Sequence, residues 1–542
     1  MHRLEETFEH DRLPGRGTPL PFRIDENGRG KLTDEEEIAA VESLRLALPA
    51  LVLILGYLVG INVLGAVLGR GQKDARDYFL GSHAMPWWAV MGSIVATETS
   101  ALTFLSVPGD AYRSGFTFLQ LVFGYIVGRV VVSFLLLPAY FEGELATAYQ
   151  LLERRFGPSA RRVTSLLFMI TRVMAAGVRL AVPAIPIALI LGIPVWVAIL
   201  ILAGGTALYT FLGGIKAVIW IDLIQVAIYL SGAVAALAVL LTRIPGGFSG
   251  ALAAHAAAGQ PVHLFNLDFD FGQSYTLWAG VLGGAFLSMA SHGADQLIVQ
   301  RLLACRRLRD AQKALVGSGF LILFQMTLFV SIGIALFAFF GGRPIGGVEG
   351  FRSPDEIFPT FIVRDLPRFL SAYLVAGIFS AAMCSESSAL NSLASALTHD
   401  LVGPIWGVTR LEGRTGLLLG RALTLFWTVL LALLAIGFTR LSQSQPAVQV
   451  GLGLISVTAG GLLGAFLLAR YARRADQTDA LVSIGGATLF MLALWLGSKG
   501  WIDLPLGRKI AWPWYSLFGS ALAFATGSIL SMRHAAPQRV AS

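Results

Sequence analysis

Ser93-Ile94-Val95-Ala96-Thr97-Glu98-Thr99-Ser100-Ala101-Leu102-Thr103 is the stretch of the chain that decides its fold. It lies inside an apolar segment, Trp87 to Gly109, that contains Gly92 and ends in Pro108-Gly109. The segment is long enough to cross a bilayer, yet hydroxyls and a carboxyl stand at its centre, where polar groups are costly. An unwound turn here would expose backbone carbonyls, which together with hydroxyls suit a hard cation. The stretch therefore predicts an interrupted membrane helix.

The composition extends this prediction to the whole chain. Apolar residues make up 55%, charged residues 14%, and the mean hydropathy is +0.69. A soluble domain carries about 25% charged residues. Apolar runs of about 20 residues recur, and they are continuous rather than alternating, which favours helices over barrel strands. The sequence therefore predicts an all-α polytopic membrane protein.

About 13 membrane spans follow from the apolar runs. They cover 46–69, 86–109, 116–141, 163–190, 193–212, 217–242, 275–300, 314–340, 369–398, 416–438, 447–469, 480–498 and 513–532. Basic residues follow the first, third, seventh and eleventh spans, which places those loops in the cytoplasm. The net charge of +8 is explained by such loops and does not indicate nucleic-acid binding. The N-terminus, with a polar arm at 1–43, is then extracytoplasmic, and a bacterial inner membrane is the expected location.

Glycines in span 275–300 predict a second interrupted helix, five spans after the first. Gly280, Gly283, Gly284 and Gly293 lie in it. Inverted five-helix repeats with an interrupted first helix form a known transporter plan, with solute and ions near the midplane. The repeats would be 86–242 and 275–470, preceded by an extra helix at 46–69 and followed by two at 480–532. Glycine also serves ordinary helix packing, so the glycines alone leave this open.

Two other spans carry polar groups at helical spacing. Asp222, Gln225 and Tyr229 share a face of one, where a carboxylate suits a monovalent cation or a structural ion pair with an arginine. Span 369–398 carries a small, polar stripe, whose alternative explanation is close helix packing. The stripe consists of Ala381, Cys384, Ser385, Ser388, Asn391, Ser392 and Ser395.

Taken together, segments between residues 46 and 470 resemble the sodium/solute symporter family, which includes transporters of glucose, proline, sialic acid, iodide and vitamins. The matching segments are 77–81, 96–100, 149–157, 213–222, 293–301 and 387–392. The resemblance implies the leucine-transporter fold, with one helix before the ten-helix core and two after it. It also implies sodium as the co-transported ion.

By position, the resemblance places a sodium site on three carbonyls, those of Ala96, Thr99 and Ala381, and on the side chains of Cys384 and Ser385. A serine is usual where Cys384 stands, and a neutral thiol is a poor ligand for a hard cation. A second sodium site known in some members would use Asp222, Ser387 and Ser388, again with position 384. Glu98 stands where proline transporters have aspartate, and pairing with an arginine is the preferred interpretation.

The resemblance also indicates which residues line the solute cavity. They are Thr103, Phe118, Gln120, Arg172, Arg179, Ser288, Ser291, His292 and Gln449. Arg172 and Arg179 lie seven residues apart on one helix face, where they would bind an anion or pair with Glu98 or Asp222. His292 is as readily explained by helix packing.

The expected function is sodium-coupled import of a small organic solute by alternating access, with an organic anion as the leading solute class. A neutral sugar or polyol, or a passive channel, is the alternative. An enzyme is not expected, because the sequence shows no metal cluster and no nucleophile–base pair. The expected partners are the solute, sodium and lipid, with neither nucleic acid nor an obligate protein partner.

Overall fold

The computed structural model describes residues 23–24, 30–31, 52–143, 145–260, 262–346, 350–406, 413–439, 447–504, 506 and 510–534. Two short strands, β1 (Arg23–Ile24) and β2 (Gly30–Lys31), pair antiparallel in the N-terminal arm. The rest of the arm predicted at 1–43 lies outside the described residues. The other regular elements described are helices, which confirms the all-α class for the membrane part of the chain.

Ten helices occupy the described part of the chain up to residue 257. They are α1 (Val52–Leu68), α2 (Ala75–Leu80), α3 (Trp87–Glu98), α4 (Ala101–Ser114), α5 (Leu119–Leu135), α6 (Leu137–Phe141), α7 (Tyr149–Phe156), α8 (Pro158–Leu191), α9 (Val195–Thr242) and α10 (Gly247–Ala257).

Ten more follow in the described remainder. They are α11 (Gly284–Gly293, preceded by a π turn at Ala279–Gly283), α12 (Gln296–Leu303), α13 (Leu308–Phe339), α14 (Ile357–Arg364), α15 (Arg368–Ala396, continued by a π turn to Val402), α16 (Gly403–Trp406), α17 (Arg414–Phe438), α18 (Ala447–Tyr471), α19 (Gln477–Ser498) and α20 (Trp514–Ser531).

The helices are those of a membrane protein. Within the described residues, seven helical segments are long and apolar enough to cross a bilayer, and Val52–Leu68 and Ile455–Tyr471 are shorter apolar helices. Large apolar side chains such as Phe134, Phe324 and Leu433 point outward, where lipid would solvate them. A polytopic membrane protein is therefore confirmed, while the total of 13 spans and the outside N-terminus stay predictions.

Both predicted interruptions are present. Thr99 (φ −84°, ψ 102°) and Ser100 (φ −92°, ψ 167°) are extended and separate α3 from α4. Ala294 and Asp295 separate α11 from α12, and the Asp295 side chain caps α12 by accepting a hydrogen bond from the Leu297 N–H at 2.8 Å. α4 runs on to Ser114, beyond the predicted end at Pro108-Gly109.

The predicted spans 193–212 and 217–242 are two helices that meet at a kink at Gly214 and together make up α9. α9 has 48 residues, and a straight helix of that length would measure about 72 Å, far more than a bilayer requires. It bends at Gly214 (φ 54°, ψ −153°), a conformation that favours glycine. A Cβ there would lie 2.4 Å from the Tyr78 carbonyl oxygen, so close packing against α2 also requires glycine.

Candidate functional site

The break between α3 and α4 gathers backbone carbonyls around one side chain of α15. The Cys384 Sγ lies 3.0 Å from the Ala96 carbonyl oxygen, 3.3 Å from that of Ala381 and 3.6 Å from that of Thr99. A thiol has one proton to donate, so it satisfies at most one of these acceptors well. The break leaves α3 carbonyls without helical donors, and the negative end of the helix dipole points to the same place. This arrangement suits a monovalent cation.

The serines of α15 surround this position. The Ser385 hydroxyl donates to the Ala382 carbonyl oxygen at 3.0 Å, and the Ser387 hydroxyl donates to that of Cys384 at 3.1 Å. The Ser388 hydroxyl donates to the same Cys384 oxygen at 2.7 Å. All three side chains are buried. The Ser385 and Ser387 hydroxyl oxygens therefore retain acceptor capacity close to the carbonyl cluster, whereas that of Ser388 accepts from Arg301.

Side chains from α13 and α9 fix the geometry of the break. The Gln325 amide donates to the Thr99 hydroxyl at 2.6 Å, and the Tyr229 hydroxyl donates to the Gln325 carbonyl oxygen at 3.0 Å. All three side chains are buried. This chain of hydrogen bonds holds Thr99 in its extended conformation and directs its carbonyl toward Cys384.

Asp222 belongs to a buried network with Arg301. The Ser93 hydroxyl donates to the Asp222 Oδ2 at 2.5 Å, and the Arg301 Nη2 lies 3.5 Å from the same oxygen. Arg301 also donates from Nε to the Ser93 hydroxyl at 2.9 Å and from Nη2 to the Ser388 hydroxyl. The Asp222 Oδ1 has no hydrogen-bond partner among the described residues. The ion pair considered for Asp222 thus forms, but with Arg301.

On the other side of the break lies a cavity of about 80 Å³, between α4, α8, α11 and α13. Six of the residues predicted to line it do so: Thr103, Phe118, Arg172, Arg179, Ser291 and His292. The polar lining also includes Thr97, Glu98, Ser100 and Tyr125, and the apolar lining is Leu102, Leu287, Leu297, Ile298, Met326 and Ile455. Most of the apolar members carry no sequence signal that separates them from ordinary helix core.

Three arginines stand in or beside this cavity, and two of them have carboxylate partners. Arg129 forms an ion pair with Glu98 and donates to the His292 Nε2 at 3.1 Å. Arg172 forms an ion pair with Asp295 at the second helix break. Glu98 therefore pairs with an arginine as expected, whereas Arg172 pairs with neither of the carboxylates that the sequence suggested.

Arg179 differs from the other two arginines. It lines the cavity, and among the described residues it forms no hydrogen bond and no ion pair. Glu98 and Asp295 act on it only electrostatically, since each is paired elsewhere. A guanidinium inside a membrane protein requires a partner. The cavity therefore contains one guanidinium, that of Arg179, whose N–H groups donate to no side chain among the described residues.

Two predicted lining residues, Gln120 and Ser288, do not take the expected place, and the prediction for a third, Gln449, is untested. Gln120 is satisfied by the backbone, because its amide donates to the Thr117 and Tyr275 carbonyl oxygens at 3.0 and 3.2 Å. Ser288 points to α5 and donates to the Tyr125 carbonyl oxygen at 3.0 Å. Both therefore serve helix packing rather than the cavity wall. The side chain of Gln449 lies outside the described residues.

A larger cavity of about 730 Å³ lies beyond an apolar layer. Leu102 lines the small cavity, Val182 and Phe438 line the large one, and the three pack together with Val178. The large cavity is bordered by Arg343, Arg352, Asp355, Glu356 and Arg364. Arg172, which forms the ion pair with Asp295, also lines the small cavity. The wall of the small cavity thus includes part of an apolar layer and one member of an ion pair.

Comparisons with known proteins agree with this geometry. A model of the sodium:solute symporter family matches residues 78–486. The sodium/sialic acid symporter SiaT of Proteus mirabilis (strain HI4320) is 28% identical over 82% of this chain and 89% of its own. The human sodium-coupled monocarboxylate transporter 1 is 28% identical over 83% of this chain and 72% of its own.

A solved structure extends the comparison to the fold. A substrate-bound, outward-open sodium-coupled sialic acid symporter superposes with a TM-score of 0.78 at 25% identity, covering 91% of this chain and 99% of that one. The chain is a membrane transporter that couples a small solute to sodium, and it belongs to the sodium:solute symporter family.

Proposed function

We propose that the solute is a small organic anion whose carboxylate binds Arg179. The observation that carries this proposal is the cavity-lining guanidinium without a partner among the described residues. A guanidinium presents a planar fork that matches a carboxylate. The two relatives described above are named for sialic acid and for monocarboxylates, which are carboxylic acids.

The sodium ion is proposed to bind at the carbonyls of Ala96, Thr99 and Ala381, with Cys384 and Ser385 completing the site. Thr97, Glu98 and Ser100 line the solute cavity, and the Ala96 and Thr99 carbonyls face Cys384. The proposed sodium site and the solute cavity thus lie on two sides of the same helix break. Sodium binding would fix the conformation of the break, and this conformation also shapes the solute cavity. The affinity for sodium and the affinity for the solute are therefore coupled.

A second sodium ion would bind at Asp222, Ser387 and Ser388. Asp222 and Ser388 already contact Arg301, whose positive charge lies where a second cation would. Such an ion would have to share these oxygens with the guanidinium. The response of uptake to membrane potential distinguishes one sodium ion from two.

Import by alternating access, rather than passive conduction, is supported by the relatives, which are named as a sodium symporter and a sodium-coupled transporter. The apolar layer of Leu102, Val182 and Phe438 between the two cavities also supports it. A conducting pore would leave an open path between the two cavities. We propose that 86–242 and 275–470 form inverted repeats that move against each other, in a bacterial inner membrane.

Thermal stability of the purified full-length chain tests the solute class. Lactate, lactamide, N-acetylneuraminate and its amide are each added with sodium chloride or choline chloride. We expect stabilisation by an acid but not by its amide, only with sodium, and its loss in Arg179→Gln. The exposed Arg414→Gln is the control and should behave as wild type. Equal stabilisation by acid and amide would overturn the anion and favour a neutral polyol or sugar at the hydroxyls of Ser100 and Thr103.

Uptake into proteoliposomes separates the symporter from the channel. We expect the stabilising acid to accumulate above its external concentration when sodium enters down its gradient. Equilibration without accumulation at any sodium gradient would identify a passive channel.

A further inference from the structure

Glu98 lines the small cavity and has a carboxylate oxygen without a donor among the described residues. Its ion pair with Arg129 and its approach to His292 both involve Oε2, and Oε1 forms no hydrogen bond with the described residues. Arg129 is fully buried, whereas the Glu98 side chain is 20% exposed and forms part of the cavity wall. An ionised carboxylate has about four acceptor sites, so Glu98 retains acceptor capacity toward the cavity.

His292 does not supply the missing donor. Arg129 lies 3.1 Å from His292 Nε2, and a guanidinium only donates, so Nε2 is the acceptor of this hydrogen bond. His292 Nδ1 lies 3.2 Å from the Ser288 carbonyl oxygen, which only accepts, so Nδ1 carries the proton and the imidazole is neutral. Nε2 therefore has no proton to donate to Glu98 Oε2, which lies 3.6 Å away. A donor for Glu98 must come from whatever occupies the cavity.

The charges around the small cavity decide which kind of donor fits. Arg172 is balanced by Asp295. Arg129 is balanced by Glu98, which leaves the positive charge of Arg179 in the cavity wall. The carboxylate of the solute balances this charge, and the sodium ion at the helix break then adds one positive charge. An ammonium group as the donor to Glu98 would add a second, which is costly inside a membrane protein, whereas a hydroxyl donates without adding charge.

The size of the small cavity limits the length of the solute. It measures about 80 Å³, whereas cavities for drug-sized ligands measure about 300–1,000 Å³. Apolar side chains, including Leu102, Leu287 and Met326, form much of the remaining wall and suit a short hydrocarbon part. Arg179 and Glu98 line this one cavity, so a solute that binds both carries its donor only a few atoms from its carboxylate.

We propose that Glu98 selects the solute by accepting a hydrogen bond from it, and that the solute is a short hydroxy acid. Its carboxylate binds Arg179, and its hydroxyl donates to Glu98 Oε1. This inference rests on the proposed function, in that it assigns the carboxylate to Arg179. Arg129 is a positioning residue, because its ion pair holds Glu98 at the cavity wall. An acid without the hydroxyl leaves Glu98 Oε1 unsatisfied, and a 2-oxo acid brings a second acceptor against it.

Thermal stability of the full-length wild-type chain in sodium chloride, measured against solute concentration, tests this selection. The probes are propionate, lactate, 3-hydroxypropionate, pyruvate and alanine, which share a three-carbon skeleton. We expect one of the two hydroxy acids to bind roughly tenfold to a hundredfold more tightly than propionate, as for one hydrogen bond to a charged acceptor. It should also bind more tightly than pyruvate and alanine. If neither hydroxy acid exceeds propionate, the role of Glu98 is overturned, and tighter binding of alanine would overturn the hydroxyl.

Glu98→Gln should produce a gain of binding, which misfolding cannot imitate. The glutamine carbonyl oxygen can accept from Arg129, and its amide N–H groups then donate to the cavity. We expect pyruvate affinity to rise on the order of tenfold and the preference for the hydroxy acid over pyruvate to be lost. The exposed Glu142→Gln is the matched control and should keep the wild-type preference. An unchanged preference in folded Glu98→Gln protein would overturn the assignment. If the variant does not fold, the wild-type comparison with propionate still decides the proposal.

The outcomes separate this inference from the proposed function. Equal stabilisation by lactate and lactamide would overturn the anionic solute, and with it the hydroxy acid. Stabilisation by acids but not amides, without discrimination among lactate, propionate and pyruvate, would leave the anionic solute in place and overturn the selection by Glu98. Stabilisation by N-acetylneuraminate but by none of the three-carbon acids would also leave the anion in place and overturn the short solute.

Discussion

The Cys384 Sγ lies 3.0 Å from the carbonyl oxygen of Ala96, although 288 positions separate the two residues in the sequence. The contact joins the broken end of α3 to the small-residue face of α15. Because the Thr99 and Ala381 carbonyl oxygens lie within 3.6 Å of the same sulfur, a soft ligand stands at the centre of a hard oxygen cluster. The sodium affinity of the proposed site should therefore depend on the side chain at position 384.

Replacing Cys384 by serine should raise sodium affinity. A hydroxyl oxygen is a harder ligand than a thiol and is smaller, so we expect the half-saturating sodium concentration to fall on the order of tenfold. Sodium-dependent thermal stabilisation of the purified chain measures this. Cys305→Ser is the matched control, because Cys305 is also fully buried but lies next to Met85, away from the site. A lower affinity in Cys384→Ser would show that the surroundings favour the thiol.

Removing the Ser385 hydroxyl should weaken sodium dependence and leave solute preference intact. Loss of one oxygen ligand to a cation corresponds to about 1.5–3 kcal/mol, which is roughly tenfold to a hundredfold in sodium affinity. Sodium activation of uptake in Ser385→Ala is the measurement, with the ranking of acid and amide as the second readout. Ser392→Ala removes a buried hydroxyl from the same helix and serves as the control. Unchanged sodium activation in Ser385→Ala would remove Ser385 from the site.

The sequence predicted the two helix breaks better than it predicted the ion pairs. Hydroxyls and glycines at the centre of apolar segments are local signals, and both helix breaks lie within the segments that carry these residues. Ion pairs depend on how distant helices are rotated. Arg172 meets Asp295 across 123 positions, and Glu98 meets Arg129, which no periodicity reveals.

Replacing Asp222 by asparagine should stop or strongly slow transport in a protein that still folds. The substitution leaves the buried Arg301 guanidinium without its counter-charge, and breaking a buried pair in this way costs about 3–5 kcal/mol. Uptake and thermal stability are measured for Asp222→Asn, for Arg301→Gln and for the double variant. Stability should recover in the double variant, where no charge is left unpaired, while transport should not. Recovery of transport with unchanged sodium stoichiometry would show that Asp222 is only a structural partner of Arg301.

The response to membrane potential should report the number of sodium ions carried with the anion. Arg301 already supplies a positive charge to Asp222 and Ser388, so we expect one sodium ion per monovalent anion. Their charges cancel, and uptake should then be insensitive to potential.

A tenfold sodium gradient provides about 1.4 kcal/mol, enough for roughly tenfold accumulation. With two sodium ions, a potential of 100 mV would add about 2.3 kcal/mol and raise accumulation roughly 50-fold above the level that the sodium gradient alone supports. Uptake of the acid into proteoliposomes at a fixed sodium gradient, with potassium and valinomycin setting the potential, measures the difference. Accumulation that rises steeply with a negative interior would contradict the single-ion expectation and place a second sodium at Asp222, Ser387 and Ser388.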